Sequence, residues 1–162
     1  MPDVFTKAKR SLVMSRIRSR GNKETELAMA RLLRAHKISG WRRHVEIRKA
    51  EGGKRKAGNG SSKLSGASSR RLLQVRPDFV FRRARVAVFV DGCFWHGCPR
   101  HGTKPKGNAA FWRKKLSGNR TRDALVNRAL RRAGWRVIRI WEHELKPRKE
   151  MRLLHRLKRF LA

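Results

Sequence analysis

The stretch RPDFVFRRARVAVFVDGCFWHGCPRH, residues 76–101, carries the strongest β-signal of the chain and its densest group of reactive side chains. Phe79-Val80-Phe81 reads as one buried strand and Val86 to Val90 as a second, and the short basic turn between them suits an antiparallel hairpin. In that pairing the start of the first strand lies beside the end of the second. Asp78 and Asp91 then come to the same edge of the sheet. The chain has only 11 acids, so two on one edge make a local negative spot that favours a hard divalent cation. Such an ion can stabilise the leaving oxygen in phosphodiester hydrolysis. The structural alternative is that Asp78 caps a turn after Pro77 while Asp91 opens a β-turn with Gly92, and spacing alone leaves both open.

The residues after the second strand, 91–110, show no periodicity and read as a loop that something must hold. Cys93-x4-Cys98-x2-His101, with His143 beyond a later strand, offers thiolate and imidazole ligands of the kind that close a tetrahedral structural zinc site. The alternative is two small buried thiols with surface histidines. Phe94 and Trp95 lie between the cysteines. Adjacent aromatics in a polar loop cannot both be core, and among Arg and Lys they suit stacking on bases. Trp112 fits helix packing and nucleic-acid contact equally. A lone histidine is more often structural, a surface group or a metal ligand. His96, however, follows the aromatic pair close in sequence to Asp91, where an imidazole could activate water at neutral pH.

Further out, Asn22 can cap a helix that starts with Glu24 and Glu26 and stops near His36. A second helix is expected from about Asn119 to Ala133, where Val126, Ala129, Leu130 and Ala133 recur at helical spacing and Gly134 is placed to end it. Trp135 to Trp141 reads as a third strand, and Leu153, Leu154, Leu157 and Leu161 mark a final amphipathic helix. Helices around a small mixed sheet, an α/β class, are the simplest arrangement of these elements. Residues 1–21 form a basic arm suited to DNA phosphates, and 22–162 the domain proper. Residues 48–71, RKAEGGKRKAGNGSSKLSGASSRR, interrupt it with a segment too poor in apolar side chains to order itself.

Composition sets the partner. Lys+Arg 44 against Asp+Glu 11 gives a net charge of +33, which opposes compaction unless a polyanion answers it. DNA, RNA and an anionic membrane surface compete for that role. The membrane is least favoured, because no apolar run approaches the ~20 residues of a spanning helix. The polar N-terminal stretch does not read as a signal peptide, so a cytoplasmic or nucleoid location is expected. The length, 162 residues, suits one domain with a modest core, and two cysteines make no disulfide framework.

Taken in order, RPDFVF, VFVDGCFWHGCPRH, FWRKKLSGNRTRD and GWRVIRIWEHEL closely resemble the Vsr family of very-short-patch repair endonucleases. The opening MPDVFTKAKRSLVMSRIRSR and its following helix match as well, so the likeness covers nearly the whole chain except 48–71. The resemblance implies a restriction-endonuclease-like fold, with a small mixed sheet flanked by helices and a zinc-stapled loop. It implies nicking of double-stranded DNA 5′ to the thymine of a T:G mispair, as left by deaminated 5-methylcytosine. Asp78 would hold Mg²⁺ beside the backbone carbonyl of Val90, His96 would be the base, and Glu26 would stand near the site. Cys93, Cys98, His101 and His143 would bind Zn²⁺. Phe94, Trp95 and Trp112 would wedge into the base stack, with Asn119 and Arg122 as further DNA contacts. The enzyme would act as a monomer without a membrane, and mismatch-repair proteins are candidate partners.

The chain departs from the family's pattern in three places. One is the insertion 48–71. His143 stands where cysteine is common. Asp91 stands where some members carry histidine beside the metal, which leaves its role in catalysis open.

Overall fold

The computed structural model describes residues 6, 23–48, 74–103, 105 and 107–162. Except for Thr6 and Arg48, the expected arm (1–21) and insertion (48–71) lie outside the described residues, as does the expected cap Asn22.

In chain order, a wide π-type helical turn (Lys23–Leu27) leads into α1 (Ala28–Ala35), followed by β1 (Trp41–Arg43), β2 (Ile47–Arg48) and β3 (Gln74–Val75). Then come β4 (Phe79–Phe81), β5 (Val86–Asp91), α2 (Ala109–Arg132) and β6 (Arg136–Trp141). Two short 3₁₀ turns, Glu142–Leu145 and Pro147–Lys149, precede α3 (Glu150–Leu161). The main sheet has the order β1-β4-β5-β6.

The hairpin expected from residues 76–101 forms: β4 and β5 pair antiparallel with Phe79 opposite Val88. β1 adds antiparallel to β4, and β6 lies parallel to β5 with Ala87 opposite Val137. A parallel neighbour needs a long crossover, and α2 supplies it. β2 and β3 make a separate antiparallel ribbon.

Strand alternation divides the sheet into two apolar faces. Phe79, Phe81, Val86, Val88, Ile138 and Ile140 meet Met29 and Leu33 of α1 and Leu153, Leu154 and Leu157 of α3. Val80, Ala87 and Val137 on the other face meet Leu130 of α2 and the ribbon residues Ile47 and Val75. Each large, fully buried side chain, such as Phe79, Met29 or Leu157, contributes roughly 1.5–3 kcal/mol by leaving water. The result is a three-layer α/β body with helices on both faces. Among the described residues, no helix is long and apolar enough to cross a membrane.

Two helix boundaries differ from expectation. α2 starts at Ala109 rather than near Asn119. Its first turns leave Phe111 exposed and bury only part of Trp112 and Leu116, so their apolar repeat is thinner than the one after Asn119. Its end agrees: the chain leaves through Gly134 at φ 77°, a left-handed conformation that glycine adopts without strain. The first helix becomes regular only at Ala28. Glu26 lies in the wide turn before it and is buried, an internal carboxylate rather than a solvent-facing acid of a first helical turn.

Candidate active site and metal centre

The edge where β4 begins and β5 ends opens into a basin of about 770 Å³. Among its lining residues are Glu26, Asp78, Asp91, Trp95, His96 and Asp123. The antiparallel register carries Asp78 just past the end of the ladder, where its Oδ2 accepts the Val90 N–H at 2.7 Å. Burial, with help from the nearby Glu26 and Asp91 carboxylates, pushes Asp78 up to about 6 despite that hydrogen bond.

Two partners gather at Asp78. Glu26 reaches in from the wide turn; such turns are rare and frequent at functional sites. His44 comes from the loop after β1, where its N–H donates to the Asp78 carbonyl at 3.3 Å. Its backbone is left-handed at φ 51°, an uncommon conformation away from glycine. Donor atoms of Glu26, His44 and Asp78 all lie within 4.8 Å of one another. Glu26 Oε2 lies 3.0 Å from His44 Nε2 and 2.6 Å from Arg43 Nη2. Two carboxylates and an imidazole form a donor set that fits a divalent cation.

Asp91 reaches the same edge but faces another way. Its two oxygens accept from Nε and Nη2 of Arg139, both at 2.6 Å, in a bidentate pair. Arg139 also bonds Asp123 Oδ1 at 3.0 Å and lies over the Phe89 ring at 5.0 Å. Burial of Arg139 opposes its charge, but Asp91 and Asp123 outweigh it and hold the guanidinium above its ordinary range. The two acids expected together are thus divided: Asp78 joins Glu26 and His44, and Asp91 is neutralised by Arg139. His96 closes the far side of the basin. Its Nδ1 sits 2.7 Å from Asp123 Oδ2 and 3.7 Å from Asp91 Oδ1.

Sequence reasoning did not single out His44, Asp123 or Arg139. Arg139 had a signal, being the charged residue inside the apolar alternation of VIRIW. Asp123 had a fainter one, as a scarce acid four residues after Asn119. His44 had none.

The cysteine loop folds as a string of tight turns, with Cys98 N–H donating to the Cys93 carbonyl at 2.9 Å and Gly102 N–H to the Cys98 carbonyl at 2.8 Å. A Cβ at Gly102 would stand 2.6 Å from that Cys98 oxygen, so only glycine fits there. Cys93, Cys98, His101 and His143 converge with their donor atoms within 4.8 Å of one another. The sulfur-to-nitrogen distances are 3.2 Å (Cys93–His143), 3.7 Å (Cys98–His143) and 3.9 Å (Cys98–His101). Tetrahedral zinc at ordinary bond lengths would set S···N separations of about 3.6 Å, so the donor set fits such an ion. Burial lowers His143 and raises the Cys93 thiol, favouring the neutral form of each.

The aromatics pack on one another. Ring centroids are 5.1 Å apart for Phe94–Trp95, 5.2 Å for Phe94–Trp112 and 6.1 Å for Trp95–Trp112, and all three residues are half-buried. Phe94 and Trp95 therefore form part of a ring cluster capped by the first turns of α2. Asn119 Nδ2 donates to the Trp95 carbonyl at 2.9 Å, fastening the loop to that helix. Arg122 is exposed at the basin's rim, with Lys115 nearby.

In class, this is a mixed α/β protein whose sheet edge carries a carboxylate–imidazole cluster and whose next loop carries a Cys/His cluster. Residues 67–101 match the family model described as DNA mismatch endonuclease Vsr. The type II nicking enzyme V.NmeAIP of Neisseria meningitidis is 35% identical over 148 residues, covering 90% of this chain and 86% of the relative. V.NaeI of Lentzea aerocolonigenes, also a type II nicking enzyme, is 56% identical over 72 residues, covering 44% of this chain and 43% of the relative. The DNA mismatch endonuclease Vsr of Escherichia coli is 38% identical over 77 residues, 47% and 49% of the two chains. The matched part of the chain spans about half the length of V.NaeI and of the Escherichia coli Vsr. It belongs to the Vsr family.

Proposed function

We propose that this chain is a DNA nickase that hydrolyses the phosphodiester 5′ to the mispaired thymine of a T:G pair. The observation that supports it most directly is the convergence of Asp78, Glu26 and His96 on one basin of a chain with net charge +33. A restriction-endonuclease-like core is the fold this reading assigns to the three-layer body. Mg²⁺ held by Asp78, with Glu26 and the Val90 carbonyl beside it, would neutralise charge on the leaving oxygen. His96, its Nδ1 fixed by Asp123, turns Nε2 towards a water and takes its proton as that water attacks phosphorus. Arg139 and Asp91 hold Asp123, and through it the imidazole.

Zn²⁺ on Cys93, Cys98, His101 and His143 would fix the loop, and with it the rings of Phe94 and Trp95. Those rings and Trp112 would enter the stack at the mispair, at an unstacking cost of a few kcal/mol that further contacts repay. Arg122 would contact the duplex, and Asn119 would do so while holding the loop. The segments 1–21 and 48–71 would neutralise phosphates. Monomeric action at the nucleoid in the cytoplasm, with mismatch-repair proteins as partners, completes this reading.

The type II nicking enzymes among the relatives make the flanking sequence part of the test. The decisive assay offers duplexes with each mispair in varied flanking sequences, in Mg²⁺ and in EDTA. A nick 5′ to T in T:G duplexes, lost in EDTA, is the expected result. Binding with no nick on any duplex would make the chain a non-catalytic DNA-binding module.

A further inference from the structure

The reading above needs only carboxylate and carbonyl oxygen for its cation, yet the structure brings an imidazole into the same cluster. Glu26, His44 and Asp78 come from the wide turn before α1, the loop after β1 and the lead into β4. Their donor atoms still meet within 4.8 Å. Glu26 is buried, while His44 and Asp78 are half-buried. A simple hydrogen bond accounts for the 3.0 Å contact between His44 and Glu26, while the β4–β5 register sets the Asp78 carboxylate within reach of both. Two carboxylates held together away from water repel unless a cation joins them. Arg43 answers Glu26 at 2.6 Å, and the Val90 N–H at 2.7 Å is Asp78's partner. A cation between the three donors would answer both carboxylates at once.

We propose that His44 is a ligand of the divalent cation at Asp78, and that its imidazole turns the site from Mg²⁺ towards a first-row transition ion such as Mn²⁺ or Co²⁺. The chemistry follows from donor type. Mg²⁺ prefers oxygen and keeps much of its water, whereas imidazole nitrogen adds more to the affinity of transition ions. The inference rests on the nuclease reading for its choice of site, but direct metal binding can test it without any cleavage.

Zinc-loaded full-length protein, with the Cys/His cluster already filled, is titrated with Mn²⁺ and examined by pulsed electron paramagnetic resonance for ¹⁴N modulation. The bound Mn²⁺ should show that modulation and lose it in His44→Asn, a residue that tolerates the left-handed backbone at this position. It should persist in His96→Gln, and the ion itself should be lost in Asp78→Asn. Mn²⁺ affinity should fall roughly tenfold in His44→Asn while Mg²⁺ affinity changes less than about twofold. Bound Mn²⁺ without ¹⁴N modulation in the unaltered protein overturns the proposal, and that spectrum needs no variant to fold. Modulation that survives His44→Asn, or vanishes only in His96→Gln, also overturns it. Nicking is scored separately. Nitrogen ligation without nicking sinks the nickase reading and keeps the ligand assignment; nicking without nitrogen ligation does the reverse.

Discussion

His96 Nδ1 lies 2.7 Å from Asp123 Oδ2, so a carboxylate of α2 fixes the imidazole of a loop that begins 30 residues upstream, at Cys93. That contact assigns the ring one orientation and leaves Nε2 for the basin. Asp123→Asn keeps the shape but removes the charge that stabilises a protonated ring. Nicking of a T:G duplex should fall by at least about a hundredfold, the scale of an oriented base, with binding unchanged. Single-turnover nicking beside a binding titration checks this, and an undiminished rate removes His96 from the base role.

Asp78 gives a pH signature. Its folded value of about 6 lies above the ordinary 3.8, so between these values the folded chain holds more protons than the unfolded one. Stability of the metal-free protein therefore falls as pH rises through that window and stays lowered above it. Asp78→Asn should remove this penalty. The metal-free variant should melt higher than the parent at neutral pH and alike at about pH 4. It should bind DNA normally and fail to nick. Melting curves of both proteins, with and without Mg²⁺, are the measurement, and an advantage of the variant that does not grow between about pH 4 and 6 contradicts the assignment.

These features differ in how far they could be read from the chain itself. The hairpin was legible because Phe79 to Phe81 and Val86 to Val90 are runs of strand-forming residues around a basic turn. Their pairing alone put Asp78 beside the end of β5. The four Cys/His positions, His143 included, were legible as ligand types, and the family resemblance implied the same set. The division of labour between Asp78 and Asp91 was not legible. It depends on the parallel register that sets Arg139 opposite Phe89, on the face Asp91 shares. His44 was invisible for a related reason, since a single histidine in WRRHV carries no periodicity and only a left-handed turn brings it to Asp78. The first turns of α2 were less legible than the rest because only Trp112 and Leu116 there are turned partly inward.

The Cys/His cluster predicts one tightly held zinc per chain. Cys93→Ser removes a buried sulfur that lies 3.2 Å from His143, so it should lower both zinc content and thermal stability. Elemental analysis after dialysis measures the first and a melting curve the second. Protein purified without chelator and found free of zinc would refute the structural metal.

Trp95 stands at the contact between the loop and α2, packed on Phe94 and Trp112. Stacking on an aromatic is worth roughly 1–3 kcal/mol per base, so Trp95→Ala should cost about tenfold or more in T:G affinity. Matched-duplex affinity, dominated by Lys and Arg, should change far less and keep its salt slope. Titrations of both duplexes at several salt concentrations separate these effects. An equal loss on both, with the discrimination ratio intact, would assign Trp95 to packing or general binding.

Between Cys93 and Cys98 the chain places Phe94, Trp95 and His96 in succession, and Asn119 and Asp123, one helical turn apart on α2, grip that segment at both functions. On the proposed reading, the parts that recognise damage and the part that takes the proton share a single mount. Any injury that loosens the mount disarms both together. What remains is an inert basic protein on DNA, and the genome is spared a nuclease that has lost its discrimination but kept its edge.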